Sequence, residues 1–368
     1  MAKRIIISGG GTGGHIFPAV AIAHALKRLA PDTQLLFVGA IGRMEMEKVP
    51  AAGYEIVGLD IQGINRQSLW KNLALPFKLY KSLRRARQII RDFKPDVAVG
   101  VGGYASGPLL LAASGMGIPC LIQEQNSYAG ITNKRLGRKV DRICVAFEGM
   151  DRFFSKDKLL FTGNPIRRES VDIQHKRAEA LEYFGMSPGR KTILLTGGSL
   201  GARTLNECML QGLGSLVAAD VQLIWQCGQY YYEALKPMVA EKYPDRITLT
   251  AFLHRMDLAY AAADIIIARA GAGTIAELCA VGKPVILVPS PNVAEDHQTK
   301  NAKALVDRNA AVMVTDAEAP LHLIQTALQL LGDEARCSTL RTHIAELAIL
   351  DADEVIAREV LQLANRKD

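Results

Sequence analysis

The sequence predicts an α/β protein built from two doubly wound parallel-sheet domains, and three observations support this fold class. Short apolar strands alternate with helical stretches through most of the 368 residues. These strands are continuous apolar runs, which is typical of parallel strands covered by helices on both faces. A strand followed by a glycine-rich loop and a helix occurs at the start of the chain and again after residue 190.

The first half begins with a β-branched run at residues 5–7, the glycine-rich loop 9–14 and helix-forming residues 19–29. Because glycine has no side chain, the loop backbone can approach an oxygen-rich ligand, and the N–H groups and dipole of the helix favour negative charge. This stretch therefore predicts an anion site. Further strands are predicted at residues 35–39, 54–58, 96–100, 119–123 and 142–146.

The second half repeats this pattern with a strand at 192–196 and a glycine-rich loop at 197–201. Residues 167–190 show no strand pattern and are interpreted as a linker with one helix. We predict a first domain over residues 1–163, a second over 164–345, and a C-terminal segment, 346–368, whose helix packs back on the first domain. The remaining strands of the second half are predicted at 221–225, 247–249, 265–268 and 285–288.

Composition limits the class of protein. The chain is 49% hydrophobic and 22% charged, and no apolar run approaches the roughly 18–20 residues that span a bilayer. The first strand begins almost at the N-terminus, which leaves no room for a signal peptide and predicts a cytoplasmic protein. Six scattered cysteines form no C-x-x-C pair, so buried free thiols are expected. A net charge of +7 suits an anionic partner without identifying it.

The glycine-rich turns favour a phosphate-bearing ligand. They follow strands at 9–14, 102–107, 197–201 and 271–274, and none ends in the Gly-Lys-Ser/Thr of a Walker A loop. Gly9, Gly11 and Gly14 have the G-x-G-x-x-G spacing of dinucleotide-binding proteins. Such proteins also need a carboxylate at the end of the second strand, and residues 38–42 contain none. A nicotinamide or flavin oxidoreductase is therefore disfavoured.

The best ribose-binding candidate lies in the second half. Residues 271–274 can offer N–H groups to a diphosphate, and Glu277, just inside the helix, can accept hydrogen bonds from two vicinal hydroxyls. The structural alternative is that Glu277 only favours the start of the helix through its dipole. Residues 293–301 are also dense in side chains that bind sugar hydroxyls, although a polar helix start explains them equally well.

Residues 70–94 combine aromatic and basic side chains. Trp70, Leu73, Phe77 and Tyr80 recur at helical spacing, interrupted by Pro76. This composition suits an anionic membrane surface, while the alternative is a core helix with a solvated basic face, and both interpretations remain open. The surrounding basic residues are Lys71, Lys78, Lys81, Arg84, Arg85, Arg87 and Arg91.

Five motifs together resemble the MurG family of bacterial peptidoglycan N-acetylglucosaminyltransferases. The resemblance implies a GT-B fold, in which two Rossmann-like domains face a cleft. It also implies a metal-independent, cofactor-free, inverting transfer of N-acetylglucosamine from UDP-GlcNAc to the 4-hydroxyl of the muramoyl sugar of lipid I (undecaprenyl-diphospho-MurNAc-pentapeptide), which forms lipid II. The motifs are GGTGGHIFP at 10–18, GGYASGP at 102–108, EQN at 124–126, GNPIR at 163–167 and GGSLGAR at 197–203.

Because the unperturbed pKa of histidine suits proton transfer, His15 in the first loop is our candidate for the base or for an acceptor-orienting group. Other site residues are predicted by position. The acceptor diphosphate falls to Gly11, Gly103, Tyr104 and Ser106. Where the family often has Gln-Gln, this chain has His297-Gln298, so only Gln298 is carried over. The UDP-GlcNAc site comprises Thr12, Gly13, Gly14, Asn126, Arg167, Ser199, Leu253 (through its backbone), Ala272, Gly273, Thr274, Ile275, Ala276, Glu277 and Gln298.

The expected location is peripheral, on the cytoplasmic face of the inner membrane, with the anionic membrane surface and other cell-wall synthesis proteins as partners. The alternative enzyme is a UDP-GlcNAc 2-epimerase, which shares the two-domain design and a ribose carboxylate. A nucleic-acid-binding module is disfavoured because the sequence has no RNP-type motif or recognition helix. The D-x-D spacing of Asp351 and Asp353 is interpreted as helix capping rather than as a metal site.

Overall fold

The computed structural model describes residues 2–61, 75–239, 243 and 245–366. The chain forms two compact units. Unit 1 comprises Met1–Ile166 and Leu350–Asp368, and unit 2 comprises Arg167–Ile349. The divisions lie a few residues from the boundaries predicted at 163 and 345.

Unit 1 contains a seven-stranded sheet of order β3-β2-β1-β4-β5-β6-β7, and its strand pairs are parallel. Its strands are β1 (Arg4–Gly9), β2 (Gln34–Ala40), β3 (Ile56–Leu59), β4 (Val97–Gly102), β5 (Cys120–Glu124), β6 (Arg142–Val145) and β7 (Leu159–Phe161). Its described helices are α1 (Gly13–Leu29), α2 (Glu45–Ala51), α3 (Leu75–Phe93), α4 (Ser106–Gly115), α5 (Ile131–Leu136) and α15 (Ala352–Asn365), with short 3-10 turns at Met150–Arg152 and Lys156–Lys158.

Helices cover both faces of this sheet, which explains why its strands are apolar throughout. Ile5 and Ile7 of β1 belong to one buried cluster with residues of α1 and α15. Ile6, between them, belongs to a second cluster with residues of α3 and α4. Successive side chains of a strand point to opposite faces, so a strand between two helical layers must be apolar at each position.

The C-terminal helix α15 belongs to unit 1. Ile356 and Val360 are fully buried in the cluster that contains α1, and Asp353 lies 2.6 Å from the Arg28 guanidinium of α1. The D-x-D spacing does mark the N-terminus of α15, in agreement with the capping interpretation of its position. Asp351 occupies the N-cap position without a side-chain cap hydrogen bond, and Asp353 is used in the ion pair.

Unit 2 contains a six-stranded sheet of order β10-β9-β8-β11-β12-β13, again with parallel pairs. Its strands are β8 (Thr192–Thr196), β9 (Gln222–Gln226), β10 (Ile247–Thr250), β11 (Ile265–Ala268), β12 (Val285–Leu287) and β13 (Val312–Met313). Its described helices are α6 (Arg168–Val171), α7 (Arg177–Tyr183), α8 (Arg203–Ala218), α9 (Gln229–Val239), α10 (Met256–Ala262), α11 (Ala272–Val281), α12 (His297–Val306), α13 (Ala319–Gly332) and α14 (Glu334–Ala345), with a 3-10 turn at Ala294–Asp296.

The structure corrects several predicted elements. Strands β8 and β11 have the predicted bounds, whereas the short edge strands β7 and β13 were missed. Helix α1 begins at Gly13, whereas the sequence predicted a start at residue 19. The prediction missed the first turns because Gly13, Gly14 and Pro18 have poor helix propensity. The segment 167–190 contains the two helices α6 and α7 instead of one. All six cysteines are buried and free, as predicted.

Candidate functional site

The strand order places the glycine-rich loops at the positions where open parallel sheets bind ligands. In unit 1 the order reverses at β1, which lies between β2 and β4. In unit 2 it reverses at β8, which lies between β9 and β11. Ligands of doubly wound sheets bind beyond the carboxyl ends of the strands at such a reversal. The candidate site of unit 1 therefore lies in the loops after β1 and β4, and that of unit 2 in the loops after β8 and β11.

In unit 1 the loops after β1 and β4 touch through backbone atoms. A Cβ at Gly103 would overlap the main-chain carbonyl of Gly10, and Gly103 has a φ of +88°. Gly11, with a φ of +85°, lies beside the Tyr104 ring, which is 46% exposed. The positive φ favours glycine at both positions, and at Gly103 a side chain would also clash with the backbone of Gly10. Gly11, Gly103 and Tyr104, three of the four predicted acceptor residues, are thus brought together.

The fourth predicted acceptor residue, Ser106, has an inward-facing side chain. It is fully buried, and its hydroxyl lies 2.9 Å from the Ser8 carbonyl and 2.8 Å from the Gly102 carbonyl. The hydroxyl therefore joins the ends of β1 and β4 inside the sheet edge. Any contact of Ser106 with a ligand would have to come from its backbone at the start of α4.

The buried carboxylate of Glu45 links the first glycine-rich loop to the end of β2. The Oε2 of Glu45 accepts a hydrogen bond from the Gly11 N–H at 2.8 Å, and its Oε1 accepts one from the Ala40 N–H at 3.0 Å. Glu45 is 1% exposed, and a Cβ at Gly10 would overlap its carboxylate. No sequence pattern indicated Glu45, which lies just beyond the end of β2.

His15 lies in the first turn of α1, half-buried beside the end of β4. Its Nδ1 is 3.0 Å from the Oε1 of Gln125, which is 2% exposed. A Cβ at Gly102, where φ is +100°, would lie 2.7 Å from this Nδ1. The glycine therefore admits the imidazole, and the imidazole is held by a buried amide.

The residues of unit 1 that are predicted to bind UDP-GlcNAc also lie at the carboxyl ends of its strands. Thr12 is the exposed N-cap of α1, and no described side chain caps this helix. The N–H groups of Gly13 and Gly14 precede the first residues that can bond within the helix, so they point towards the loop. The Asn126 N–H is bonded to Glu124 at 3.1 Å, which fixes the turn that carries it.

In unit 2 the predicted ribose carboxylate is held by two partners. The Tyr260 hydroxyl donates to the Oε2 of Glu277 at 3.1 Å, and the Arg167 guanidinium lies 3.7 Å from the Oε1. Burial raises the pKa of the Glu277 carboxyl above its usual range, and the Arg167 charge partly opposes this shift. Burial and the neighbouring Glu277 also raise the pKa of Tyr260, so its hydroxyl stays protonated and donates.

Helix α11 starts beside this carboxylate. No described side chain caps it at Gly271, so the N–H groups of Gly273 and Thr274 have the orientation that an anion requires. Ala272 is buried at the start of the helix, and Ile275 is buried with its N–H bonded to the Gly271 carbonyl at 2.9 Å. Ala276, half-buried, precedes Glu277 in the same helix.

Two glutamines organise the neighbouring loops of unit 2. The Nε2 of Gln226 donates to the carbonyls of Gly198 at 3.0 Å and Ala251 at 3.2 Å, which ties together the loops that carry Ser199 and Leu253. Ser199 is exposed and Leu253 is buried. The Oε1 of Gln298 accepts from the Ser290 N–H at 2.9 Å, so its Nε2 is the end of the amide available as a donor.

The turn before Gln298 is strained. Glu295 has a φ of +58° and Asp296 a φ of +52°, in the left-handed region that non-glycine residues rarely adopt. Lys300 donates to the Glu295 carbonyl at 2.7 Å, and Thr299 donates to Asp296 at 2.6 Å. These hydrogen bonds stabilise residues 295 and 296 in this conformation. They therefore fix the start of α12.

Arg269 joins the ends of β11, β12 and β13 in unit 2, a role that no sequence pattern indicated. Its guanidinium donates to the carbonyls of Val288 at 3.0 Å and Pro289 at 3.2 Å, and it pairs with Asp316. Asp316 accepts in addition from the Thr204 hydroxyl of α8 at 3.0 Å. Arg269 follows β11, the two carbonyls follow β12, and Asp316 follows β13. The Arg269 side chain therefore holds together the loops at the carboxyl ends of these three strands.

The part of the chain that the structure describes contains neither a metal-binding cluster of side chains nor a membrane-spanning helix. Within residues 2–61, 75–239, 243 and 245–366, no three His, Cys, Asp or Glu side chains are grouped so that they could hold a metal ion. The helices in the same ranges include none with the length and apolar content needed to cross a membrane.

Comparison with known proteins identifies the family of each half. Residues 5–145 match the glycosyltransferase family 28 N-terminal domain, and residues 192–354 match the glycosyltransferase family 28 C-terminal domain. A relative from Parabacteroides distasonis is 54% identical over 364 residues, covering 99% of both chains. A relative from Phocaeicola vulgatus is 56% identical over 365 residues, covering 99% of this chain and 97% of the relative. Both are named UDP-N-acetylglucosamine--N-acetylmuramyl-(pentapeptide) pyrophosphoryl-undecaprenol N-acetylglucosamine transferase.

Solved structures show the same fold. Acinetobacter baumannii MurG aligns with a TM-score of 0.79 at 30% identity, over 98% of this chain and 99% of the other. A UDP-N-acetylglucosamine 2-epimerase aligns with a TM-score of 0.66 at 18% identity, over 100% of this chain and 97% of the other. The second likeness is one of fold alone.

The hydrogen bonds of Glu45 predict that its removal loosens the first glycine-rich loop. In Glu45→Gln one of the two N–H groups faces an amide NH2 instead of an acceptor, and an unpaired buried N–H costs about 1–3 kcal/mol. We expect faster amide hydrogen exchange at Gly11 and Ala40, measured by mass spectrometry. The matched control is Glu47→Gln on the same helix, since the Glu47 side chain is 78% exposed. Equal exchange in the two variants would contradict the bracing role.

Proposed function

We propose, from the premise that the chain belongs to the MurG family within glycosyltransferase family 28, that it transfers N-acetylglucosamine from UDP-GlcNAc to lipid I. The product is lipid II, a precursor of peptidoglycan. The printed names of the relatives, at 54% and 56% identity over nearly the whole chain, support this activity. The epimerase alternative has only a fold-level neighbour in its favour.

The observation that carries the proposal is the group formed by Glu277, Tyr260 and Arg167 at the start of α11. A half-buried carboxylate whose oxygens are oriented by a phenol and a guanidinium suits two vicinal ribose hydroxyls. The N–H groups of Gly273 and Thr274 lie in the adjoining helix turn and suit a diphosphate. A nucleoside diphosphate therefore matches this part of unit 2 in both charge and hydrogen bonding.

The chemistry is a displacement at the anomeric carbon. The 4-hydroxyl oxygen of the muramoyl sugar forms a bond to C1 of N-acetylglucosamine as the bond from C1 to the diphosphate oxygen breaks. UDP leaves with the electron pair, and the hydroxyl proton passes to His15. We assign stabilisation of the leaving UDP to Arg167 and the α11 N–H groups, and binding of the acceptor diphosphate to Gly11, Gly103 and Tyr104.

We also propose that α3 brings unit 1 to an anionic membrane surface. Phe77 is 62% and Tyr80 63% exposed, and Lys81 lies 4.7 Å above the Phe77 ring. Further along the helix, Ala86, Ile89 and Ile90 are buried in the core. The exposed aromatic and basic residues support the membrane interpretation, and the buried residues belong equally to the alternative of a core helix with a solvated basic face. Trp70, Lys71 and Leu73 lie outside the described residues. The exposed basic residues are Lys81, Arg84, Arg85, Arg87 and Arg91.

The activity is tested by following UDP release from UDP-GlcNAc with and without a short-chain lipid I analogue. We expect release that depends on the acceptor and a disaccharide product detected by mass spectrometry. Formation of UDP-ManNAc without acceptor would instead support the epimerase. Acceptor-independent release, or none, would contradict the transferase proposal.

The raised pKa of Glu277 predicts a pH dependence of donor binding. As pH falls through this raised pKa, the carboxylate takes up a proton and loses its capacity to accept from both ribose hydroxyls, so the Kd for UDP-GlcNAc rises. The diphosphate of UDP-GlcNAc is a diester and does not titrate in this range. Calorimetry from about pH 5 to 8 should show weaker binding on the acid side, at a higher pH than an ordinary glutamate would give.

In Glu277→Gln the acid-side change should disappear, and the Kd at neutral pH should rise about tenfold, equivalent to loss of one strong hydrogen bond. The matched control is Glu207→Gln, an exposed carboxylate on α8 of the same unit. The same acid-side curve in Glu277→Gln as in the unsubstituted chain would assign the titration to another group.

The membrane proposal predicts weaker binding to vesicles that contain anionic lipid when Lys81, Arg84 and Arg85 are changed to Gln. Each basic residue near such a surface contributes about 1 kcal/mol at moderate salt. The control triple is Arg203, Lys303 and Arg308 to Gln, which removes the same charge from exposed positions of unit 2. Equal loss of vesicle binding in sedimentation assays would mean that net charge alone, and not α3, determines binding.

A further inference from the structure

A chain of three buried side-chain amides ends at His15. Gln123 lies in β5 just before its last residue, Glu124, Gln125 follows the strand, and Asn164 lies in the loop after β7. Their exposed fractions are 0%, 2% and 4%, so their polar groups must be satisfied inside unit 1. Gln123 and Gln125 are two residues apart on extended backbone, which directs both side chains to the same side.

The hydrogen bonds run in one direction through this chain. The Nε2 of Gln125 donates to the side-chain Oε1 of Gln123. The Nε2 of Gln123 donates to the Oδ1 of Asn164 at 2.9 Å. The Nδ2 of Asn164 then donates to the main-chain carbonyl of Gln125 at 3.0 Å. In the order His15, Gln125, Gln123, Asn164, the side-chain oxygen of each amide therefore faces the preceding residue, and its nitrogen donates to the next acceptor.

Main-chain carbonyls fix this direction, because a carbonyl oxygen can only accept. Besides the Gln125 carbonyl, the Val101 carbonyl lies 2.7 Å from the Nε2 of Gln125. If the Gln125 amide were reversed, its oxygen would face the Val101 oxygen at that distance with no proton between them. The amide is thus oriented with its Oε1 towards the Nδ1 of His15, at 3.0 Å.

We propose that Gln125 is a positioning residue that holds neutral His15 in the tautomer with Nδ1 protonated and Nε2 carrying the lone pair. The Oε1 of Gln125 has no proton to give, so the hydrogen bond exists only when the proton is on Nδ1. Nε2 is then the nitrogen that takes the proton of the acceptor hydroxyl. The inference rests on the proposed function, in which His15 is the base.

The proton balance of the transfer step follows from this tautomer. The muramoyl hydroxyl loses its proton to Nε2 as its oxygen bonds to C1, and His15 becomes an imidazolium with both nitrogens protonated. The Nδ1 proton stays on its bond to Gln125 throughout, and water later removes the Nε2 proton. No proton has to move through the amide chain, whose role is to orient.

The carboxylate nearest in sequence does not compete for this role. Glu124 lies between the two glutamines, and its side chain accepts from the Asn126 N–H at 3.1 Å, the Gly130 N–H at 3.0 Å and the Asn133 amide at 2.9 Å. It therefore braces the following loop. A neutral amide, rather than a carboxylate, sets the tautomer of the candidate base.

The inference is tested by nitrogen-15 NMR of the full chain labelled at histidine, without substrate and at a pH where the imidazole is neutral. The His15 signals are assigned by their loss in His15→Asn. We expect a protonated Nδ1 and an unprotonated Nε2, distinguished by the large downfield shift of an unprotonated ring nitrogen. An Nε2-protonated His15 in the unsubstituted chain would overturn the proposal, whatever the variants do.

The second arm uses Gln125→Leu, which removes the acceptor at similar volume, with Gln362→Leu at an exposed position of α15 as the control. We expect His15 in Gln125→Leu to shift towards the other tautomer, and kcat for the lipid I analogue to fall about 10- to 100-fold, as for other groups that orient a functional histidine. The KM for UDP-GlcNAc should stay within about twofold, and circular dichroism should report the native fold.

The outcomes separate the two proposals. An unchanged tautomer in folded Gln125→Leu would overturn the positioning role while leaving the transferase activity intact. A changed tautomer with unchanged kcat would remove His15 as the base, and with it the positioning role in catalysis. If the unsubstituted chain shows no acceptor-dependent UDP release, the proposed function fails, and the NMR result still decides the tautomer.

Discussion

The close approach of two backbones at the reversal of strand order is the constraint on which the site of unit 1 depends. Gly10 and Gly103 meet without side chains between them, so the loops after β1 and β4 form one surface. Unit 2 uses the same device between the loops after β8 and β9, since a Cβ at Gly201 would overlap the Cys227 carbonyl and one at Gly228 the Leu200 carbonyl. In both units the loop after the strand at which the order reverses is positioned by backbone contact with a neighbouring loop.

The parts of the fold that depend on local pattern could be predicted from the sequence. Strands such as β8 and β11, buried on both faces, appear as unbroken apolar runs with the bounds found in the structure. Edge strands β7 and β13 are short, and several of their residues are only half-buried, so they give little apolar signal. The start of α1 was hidden because Gly13, Gly14 and Pro18 have poor helix propensity.

The candidate site shows a similar division. Glycine-rich turns and Glu277 could be identified because their chemistry is local to a strand–loop–helix stretch. Glu45, Gln125 and Arg269 could not, because their partners are fixed by the tertiary fold. His15 and Gln125 are 110 residues apart in the sequence, and Gly11 and Glu45 are 34 apart. Gln125 lies inside a motif that the sequence already singled out, and only the direction of its hydrogen bonds reveals what the amide does.

The position of α15 has a consequence for the order in which the chain folds during synthesis. Unit 2 is an insertion within unit 1, since the chain leaves unit 1 after Ile166 and returns at Leu350. The ribosome therefore releases all of unit 2 before it releases the helix that covers α1. Until then the apolar face of α1 formed by Ile22 and Leu26 lacks Ile356 and Val360. The unit that is synthesised first is thus completed last, and its nascent form exposes an apolar surface that α15 later covers.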